Sequence, residues 1–203
     1  IREITAPYGM VVNGEVHTAE LTYAGQEVSI TETAASFYNE RQKVKVELSK
    51  TLETDELFGI GMGGEITAIS FGLYAAEDIA AADGTVIPAE GLLEIAGCNE
   101  NGKASFVTDI PVGAKLYVKE IAADSHYLIS DAQYAVVFEY AGQDTALVEI
   151  KVNDGKAIEN ELIRGEIHGL KKDEDGKALG GAVIGLFKSD ETAFSTDTAI
   201  LTA

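Results

Sequence analysis

Tryptophan is absent from the 203 residues, cysteine occurs once and proline three times. A single cysteine, Cys98, excludes an internal disulfide, and between Gly97 and Asn99 it reads as a small packed residue rather than a nucleophile. Histidine occurs three times, at His17, His126 and His168. None has a second His or Cys at ligand spacing, so no metal site is expected. No apolar run reaches the ~18 residues of a membrane-spanning helix, and no membrane contact is expected. Cations are scarce: 15 Lys and Arg stand against 34 Asp and Glu, a net charge of −19. That balance lacks the basic footprint needed for nucleic acid or an anionic membrane surface. There is no initiator Met and no leader, and the chain opens in a strand pattern at Ile1-Arg2-Glu3-Ile4. The expectation is an internal piece of a longer protein.

What the chain does contain is apolar material, 46% of its residues, and an internal repeat. Ile1 to Glu27 aligns with Val118 to Asp144 without a gap. Arg2-Glu3-Ile4 meets Lys119-Glu120-Ile121, and Tyr23-Ala24-Gly25-Gln26 recurs as Tyr140-Ala141-Gly142-Gln143. Further on, Asn39-Glu40 meets Asn160-Glu161, Lys50 meets Lys171, and Phe71-Gly72-Leu73-Tyr74 meets Ile184-Gly185-Leu186-Phe187. The unit is roughly 120 residues, domain-sized and too long for a solenoid repeat. Residues 1–43 are expected to be the back end of one repeat, 44–163 a complete repeat, and 164–203 the front end of a third.

Within the complete repeat, short runs of alternating apolar and polar residues predict strands over 44–51, 65–74, 91–97, 103–109, 115–122, 134–140, 145–152 and 157–163. Asp83-Gly84, Asn101-Gly102, Gly142-Gln143 and Asp154-Gly155 punctuate them as turns. Ala75 to Ala82 predicts a helical turn. The fold class is all-β, an antiparallel Ig-like β-sandwich repeated in tandem.

Two motifs invite a functional reading and do not sustain it. Gly59-Ile60-Gly61-Met62-Gly63-Gly64 satisfies G-x-G-x-x-G, with Asp83 about twenty residues on. A dinucleotide site needs a strand before this loop and a helix after it, whereas Glu65 to Tyr74 reads as strand. No cofactor is expected. Asp173-Glu174-Asp175-Gly176 resembles the start of a calcium loop, but Ile184 stands where the last acidic ligand belongs. An Asp-Gly turn accounts for it.

The remaining signal is a trio of polar residues on apolar faces. Lys50 falls in phase with Val44, Val46 and Leu48; Glu120 with Leu116 and Val118; Asn160 with Ile158 and Leu162. The partial repeats keep the types, with Glu3 and Asn39 in the first and Lys171 in the third. One account is a buried ion pair, Lys50 with Glu120, capped by Asn160; such pairs stabilise weakly at best. The other is covalent. A desolvated lysine gives up its proton and becomes an amine nucleophile, and a neutral carboxyl beside an amide can move protons. The product would be an amide between Lys50 and Asn160, with ammonia released.

These residues carry a resemblance. Val118-Lys119-Glu120-Ile121, Arg2-Glu3-Ile4-Thr5-Ala6-Pro7-Tyr8-Gly9, Lys171-Lys172-Asp173, Leu179-Gly180-Gly181-Ala182 and Gly185-Leu186-Phe187 are similar to the Cna B-type, or SpaA-like prealbumin-fold, repeats of Gram-positive surface proteins. The likeness spans nearly the whole chain. It departs at Ala122-Ala123-Asp124-Ser125-His126-Tyr127, which lacks the Pro and Gly found at 7 and 9. The resemblance implies a self-formed isopeptide bond with Lys50 as nucleophile, Asn160 as acceptor and Glu120 as proton shuttle. It also implies a structural stalk module of a cell-surface adhesin or pilus-like protein, extracellular and wall-anchored. Its partners would be neighbouring repeats of the same chain, and it would be no enzyme beyond a single self-crosslinking turnover. The alternative is a sandwich that binds a host matrix protein or glycan and holds a non-covalent Lys–Glu pair. The absence of tryptophan weakens the glycan form of it.

Overall fold

The computed structural model describes residues 1–81 and 83–203. They divide into two compact units, Ile1–Ile163 and Arg164–Ala203. In chain order the strands are β1 (Lys43–Leu52), β2 (Ser70–Ala75), β3 (Ile79–Ala80), β4 (Val86–Ile87), β5 (Leu92–Gly97), β6 (Lys103–Phe106), β7 (Lys115–Ala122), β8 (Gln133–Val137), β9 (Leu147–Lys151), β10 (Ile158–Asn160), β11 (Gly185–Leu186) and β12 (Leu201–Thr202).

The first unit contains a sandwich of two sheets. One has the order β5-β2-β7-β8, antiparallel throughout. The other is built on β1, with β6 antiparallel on one edge. On its other edge β1 pairs in parallel, first with β9 and then with β10. The reading as an antiparallel sandwich holds for the class, and these parallel pairs are the exception to it. They lay β1 alongside β9 and β10, pointing the same way.

Alternation places the core. Val44, Val46 and Leu48 of β1 are buried, facing Phe71, Leu73 and Ala75 of β2 and Leu116 and Val118 of β7 in one apolar cluster. Phe106, Val136, Phe138 and Ile158 belong to it as well. Burying a side chain of this kind stabilises by about 1.5–3 kcal/mol, and the strands have little other reason to stack.

Two local expectations are corrected. Glu65–Ala68 is a 3-10 turn, so β2 begins at Ser70. Gly64 enters that turn with φ 98°, a value open to glycine, and Thr67 N–H closes it on the Gly64 carbonyl. The Ala75–Ala82 segment is not helical where described. Ile79–Ala80 pairs with Val86–Ile87, a ladder that satisfies backbone groups an isolated helical turn would leave open; Ala82 lies outside the described residues.

Residues 1–42 carry isolated bridges, Arg2 with Val16 and Met10 with Arg41, rather than a ladder. They lie against the Tyr140–Thr145 turn. Tyr140 Oη donates to Met10 O at 3.0 Å, and its ring meets that of Tyr8 at 4.8 Å. Gln42 is the centre of this junction. It is buried, its Nε2 donates to Gly142 O and Thr145 O at 3.0 and 2.6 Å, and its Oε1 accepts Ala141 N–H at 2.8 Å. Gln42→Ala is expected to strand three backbone groups and to cost about 2–3 kcal/mol. Hydrogen exchange checks it: the Ala141 amide should lose protection while amides of β2 and β7 keep theirs.

The second unit contains the β11–β12 hairpin, a Lys172–Ala178 bridge and an edge-on contact of Phe187 with Phe194.

Candidate functional site

Period two sends Lys50 into the sandwich, as its phase requires. The register sets Lys50 opposite Ile158 and Leu52 opposite Asn160, so both polar side chains emerge on the inner face. Glu120 comes from the other sheet, on β7 opposite Phe71. Each of the three residues is 2% exposed.

Their contacts form a chain. Lys50 Nζ donates to Asn160 Oδ1 at 2.6 Å, and Asn160 Nδ2 donates to Glu120 Oε1 at 2.7 Å. The same Oε1 lies 3.9 Å from Lys50 Nζ. Glu120 Oε2 is held at 2.9 Å by the N–H of Ser130. The amide orientation is dictated by its partners, because an ammonium only donates and a carboxylate only accepts. Burial pushes the Lys50 ammonium below its usual range, against the opposing attraction of Glu120.

Supporting residues escape a reading of the sequence. Ser130 acts through its backbone N–H, which no side-chain pattern announces. The segment after Asn160 is fixed by Leu128 N–H to Glu161 O, Ile163 N–H to His126 O, and a bridge of Tyr127 with Leu162. Gly102, legible only as a turn glycine, supports Lys50 directly. Lys50 N–H donates to its carbonyl at 2.7 Å, and a Cβ on Gly102 would lie 2.2 Å from Lys50 O. Its φ of 66° adds conformational strain for any other residue. Gly102→Ala is expected to cost about 1–3 kcal/mol through strain alone, with a further loss from displacing β1. A denaturant titration measures it.

The rejected motifs also have a physical explanation. The Gly59–Gly64 loop does aim N–H groups inward, but Glu65 occupies them. Gly61 and Gly63 donate to its two carboxylate oxygens at 3.0 and 2.8 Å. Backbone N–H groups, those of Glu65 itself first and then of Gly61 and Gly63, hold this carboxyl below its usual range. A phosphate would have to displace a built-in anion. Asp173 Oδ1 accepts the N–H groups of Asp175 and Lys177, the geometry of an Asx turn. Among the described residues no group of three or more His, Cys, Asp or Glu side chains could hold a metal. Cys98 is buried near the trio, and burial pushes its thiol up to about 11, so it is protonated and a poor nucleophile.

The remaining candidates, Glu3, Asn39 and Lys171, divide. Asn39 Nδ2 donates to Glu3 Oε2 at 2.6 Å, so these two are brought together. Lys171 belongs to the second unit and is exposed.

No family model matches the chain, and no curated protein does. Solved structures give weak likenesses. The Bacillus anthracis TIE protein is 20% identical, over 88% of this chain and 30% of that one, with a TM-score of 0.48. The group B streptococcus pilus 2b backbone protein is 14% identical, over 66% and 47%, with a TM-score of 0.37. The Corynebacterium diphtheriae major pilin SpaA, whose structure points to a modular pilus assembly with stabilising isopeptide bonds, is 14% identical over 61% and 31%, with a TM-score of 0.34. This chain thus spans less than half the length of each. No helix among the described residues is long and apolar enough to cross a membrane. The chain resembles the Cna B-type, SpaA-like repeats at the residues quoted from its sequence.

Proposed function

We propose that residues 44–163 are a structural module of a Gram-positive surface protein, an adhesin or pilus-like stalk, stabilised by an isopeptide bond between Lys50 and Asn160. The observation that carries this reading is the buried chain Lys50 Nζ, Asn160 amide, Glu120 carboxylate, with links of 2.6 and 2.7 Å.

The chemistry balances on these three side chains. A proton passes from the Lys50 ammonium to Glu120, leaving an amine and a neutral carboxyl. The Nζ lone pair attacks Asn160 Cγ. A second proton leaves Nζ as the Cγ–Nδ2 bond breaks, and Nδ2 departs as ammonia. The products are one amide, one ammonia and Glu120 as the neutral acid. Glu120 Oε1 suits the shuttle because it faces both the attacking and the leaving nitrogen, at 3.9 and 2.7 Å. An unactivated amide is a poor electrophile. The fold offsets this by holding nucleophile and acceptor together, an advantage of about 7–11 kcal/mol for well-oriented groups.

The benefit is mechanical. β1 and β10 run parallel, so tension entering at Lys43 and leaving beyond Asn160 shears them apart. An amide at Lys50–Asn160 carries that force across one covalent bond and bypasses the residues between. The test is intact mass, which one lost ammonia lowers by a resolvable step.

A further inference from the structure

The outer face of the β1 sheet departs from the charge of the chain. β1, β6 and β9 place Lys43, Lys45, Lys103 and Lys151 there, against Glu47 and Glu149. That balance is the reverse of a chain with 15 Lys and Arg and 34 Asp and Glu. Lys45 is ion-paired with Glu47 and lies opposite Glu149 in register. Lys103 and Lys151 have no carboxylate within ion-pair distance among the described residues.

Between these two lysines the face sinks into a cleft of about 460 Å³. Small-ligand sites span ~300–1,000 Å³. β6 and β9 flank β1, so Lys103 and Lys151 line the cleft from opposite sides. Lys103 Nζ donates to Ser49 Oγ, which tethers it and leaves its other N–H groups open. Asn99 Oδ1 accepts the N–H groups of Asn101 and Lys103 at 2.9 and 3.0 Å. Its amide orientation is thereby set, and Nδ2 is left as a donor without a partner among the described residues. Ser105 contributes a hydroxyl, and Glu47 is the one carboxylate in the lining.

The far wall is strained. Lys151 leads into a turn with three consecutive residues at positive φ, Asn153 at 55°, Asp154 at 53° and Gly155 at 77°. Backbone of this kind costs conformational energy outside glycine, persists where contacts hold it, and gathers at ligand sites. Here Lys156 N–H donates to Asn153 O at 2.9 Å and Asn153 Nδ2 to Lys156 O at 3.3 Å. The turn lays Gly155 along the Lys151 stem, where a Cβ would stand 3.6 Å from Lys151 Cδ.

We propose that this cleft binds a carboxylated sugar, a single carboxylate on a polyhydroxylated ring of the uronic or sialic acid type. The carboxylate answers the two unpaired ammoniums in charge-assisted bonds. Ring hydroxyls donate as well as accept, so they suit Glu47, the Ser105 hydroxyl and the Asn99 amide together. Sulfate only accepts and would meet Glu47 as a like charge. A long polyanion is opposed by the net charge of −19. Recognition through charge and hydroxyls needs no tryptophan platform, and it is independent of any bond at Lys50.

The test titrates the full chain with methyl glucuronide and follows amide chemical shifts. Saturable shifts are expected at Ser49, Lys103, Ser105 and Gly155, and methyl glucoside, which lacks only the carboxylate, should not produce them. A methyl sialoside is the second arm, and the tighter of the two acids names the ring. Lys103→Met and Lys151→Met should each weaken binding about tenfold, the loss of one charge-assisted hydrogen bond, with the amides of β2 and β7 unmoved. Glu47→Gln should raise the affinity for acetate and narrow the margin of the sugar over it. The proposal is overturned if the glucoside binds as tightly as the glucuronide, or if neither acidic sugar gives saturable shifts. Acetate or sulfate moving the same amides with equal affinity would reduce the cleft to a bare cationic patch and overturn it too, as would Met variants that bind unchanged.

Discussion

The intact chain is expected to weigh one ammonia less than its sequence, and Lys50→Ala and Asn160→Ala to restore the full mass. The melting temperature should fall in both. Lys50 and Asn160 are 110 residues apart, and closing a loop of that length removes unfolded-state entropy. By analogy with disulfides this stabilises by roughly 4–5 kcal/mol. For a domain of this size that corresponds to about 15–20 °C. Melting alone does not decide the matter, because cutting back Lys50 also leaves Glu120 as a buried, unpaired charge at about 3–5 kcal/mol. Mass does. Well-folded chain at its full sequence mass would leave a buried ion pair and no crosslink. A second readout separates the two: crosslinked chain keeps a closed loop after denaturation and migrates faster than Lys50→Ala on a denaturing gel.

Glu120→Gln should block the reaction while preserving the scaffold. The amide of Gln can accept the hydrogen bond from Asn160 Nδ2, but it cannot carry the proton from Nζ. The variant is expected at full mass. Its stability should also acquire a pH dependence absent from crosslinked chain. Lys50 already has its folded pKa lowered by burial, and Glu120 is the main attraction opposing that shift. Without Glu120 the folded-state value falls further below the unfolded value near 10.4. Between the two, the unfolded chain holds a proton that the folded chain does not. Stability therefore rises with pH through that window, by at most about 1.4 kcal/mol per pH unit, and is lost as pH falls toward the folded value. Comparing Glu120→Gln with the double variant that adds Lys50→Met isolates this titration. A single Glu120→Gln variant that loses ammonia as completely as the native sequence would remove Glu120 from the mechanism.

Much of the site was legible in the sequence because strand periodicity is a strict rule. A residue in phase with Val44, Val46 and Leu48 must share their face, so Lys50 had to point inward. The same reasoning held for Glu120 beside Val118 and Asn160 beside Ile158. The internal repeat strengthened it by showing Lys, Glu and Asn at corresponding places. Short-range chemistry was harder to read. Glu65 to Ile69 alternates like a strand, yet a glycine at positive φ and a carboxylate bound to the loop wind it into a 3-10 turn. Ala75 to Ala82 has helical composition, yet Ile79–Ala80 finds a ladder partner.

The sequence by itself determined that the chain is β-rich, acidic and without an internal disulfide, and which polar residues sit among apolar ones. It could not determine which strands are neighbours, because period two reports a face and not a partner. Tertiary structure decided that β1 lies parallel to β10, which brings Lys50 within 2.6 Å of Asn160 across 110 residues. It also decided that Glu120 reaches them from the opposite sheet, steadied by a backbone N–H at Ser130. Those distances arise from packing between strands remote in sequence. They turn three buried polar residues into one hydrogen-bonded chain.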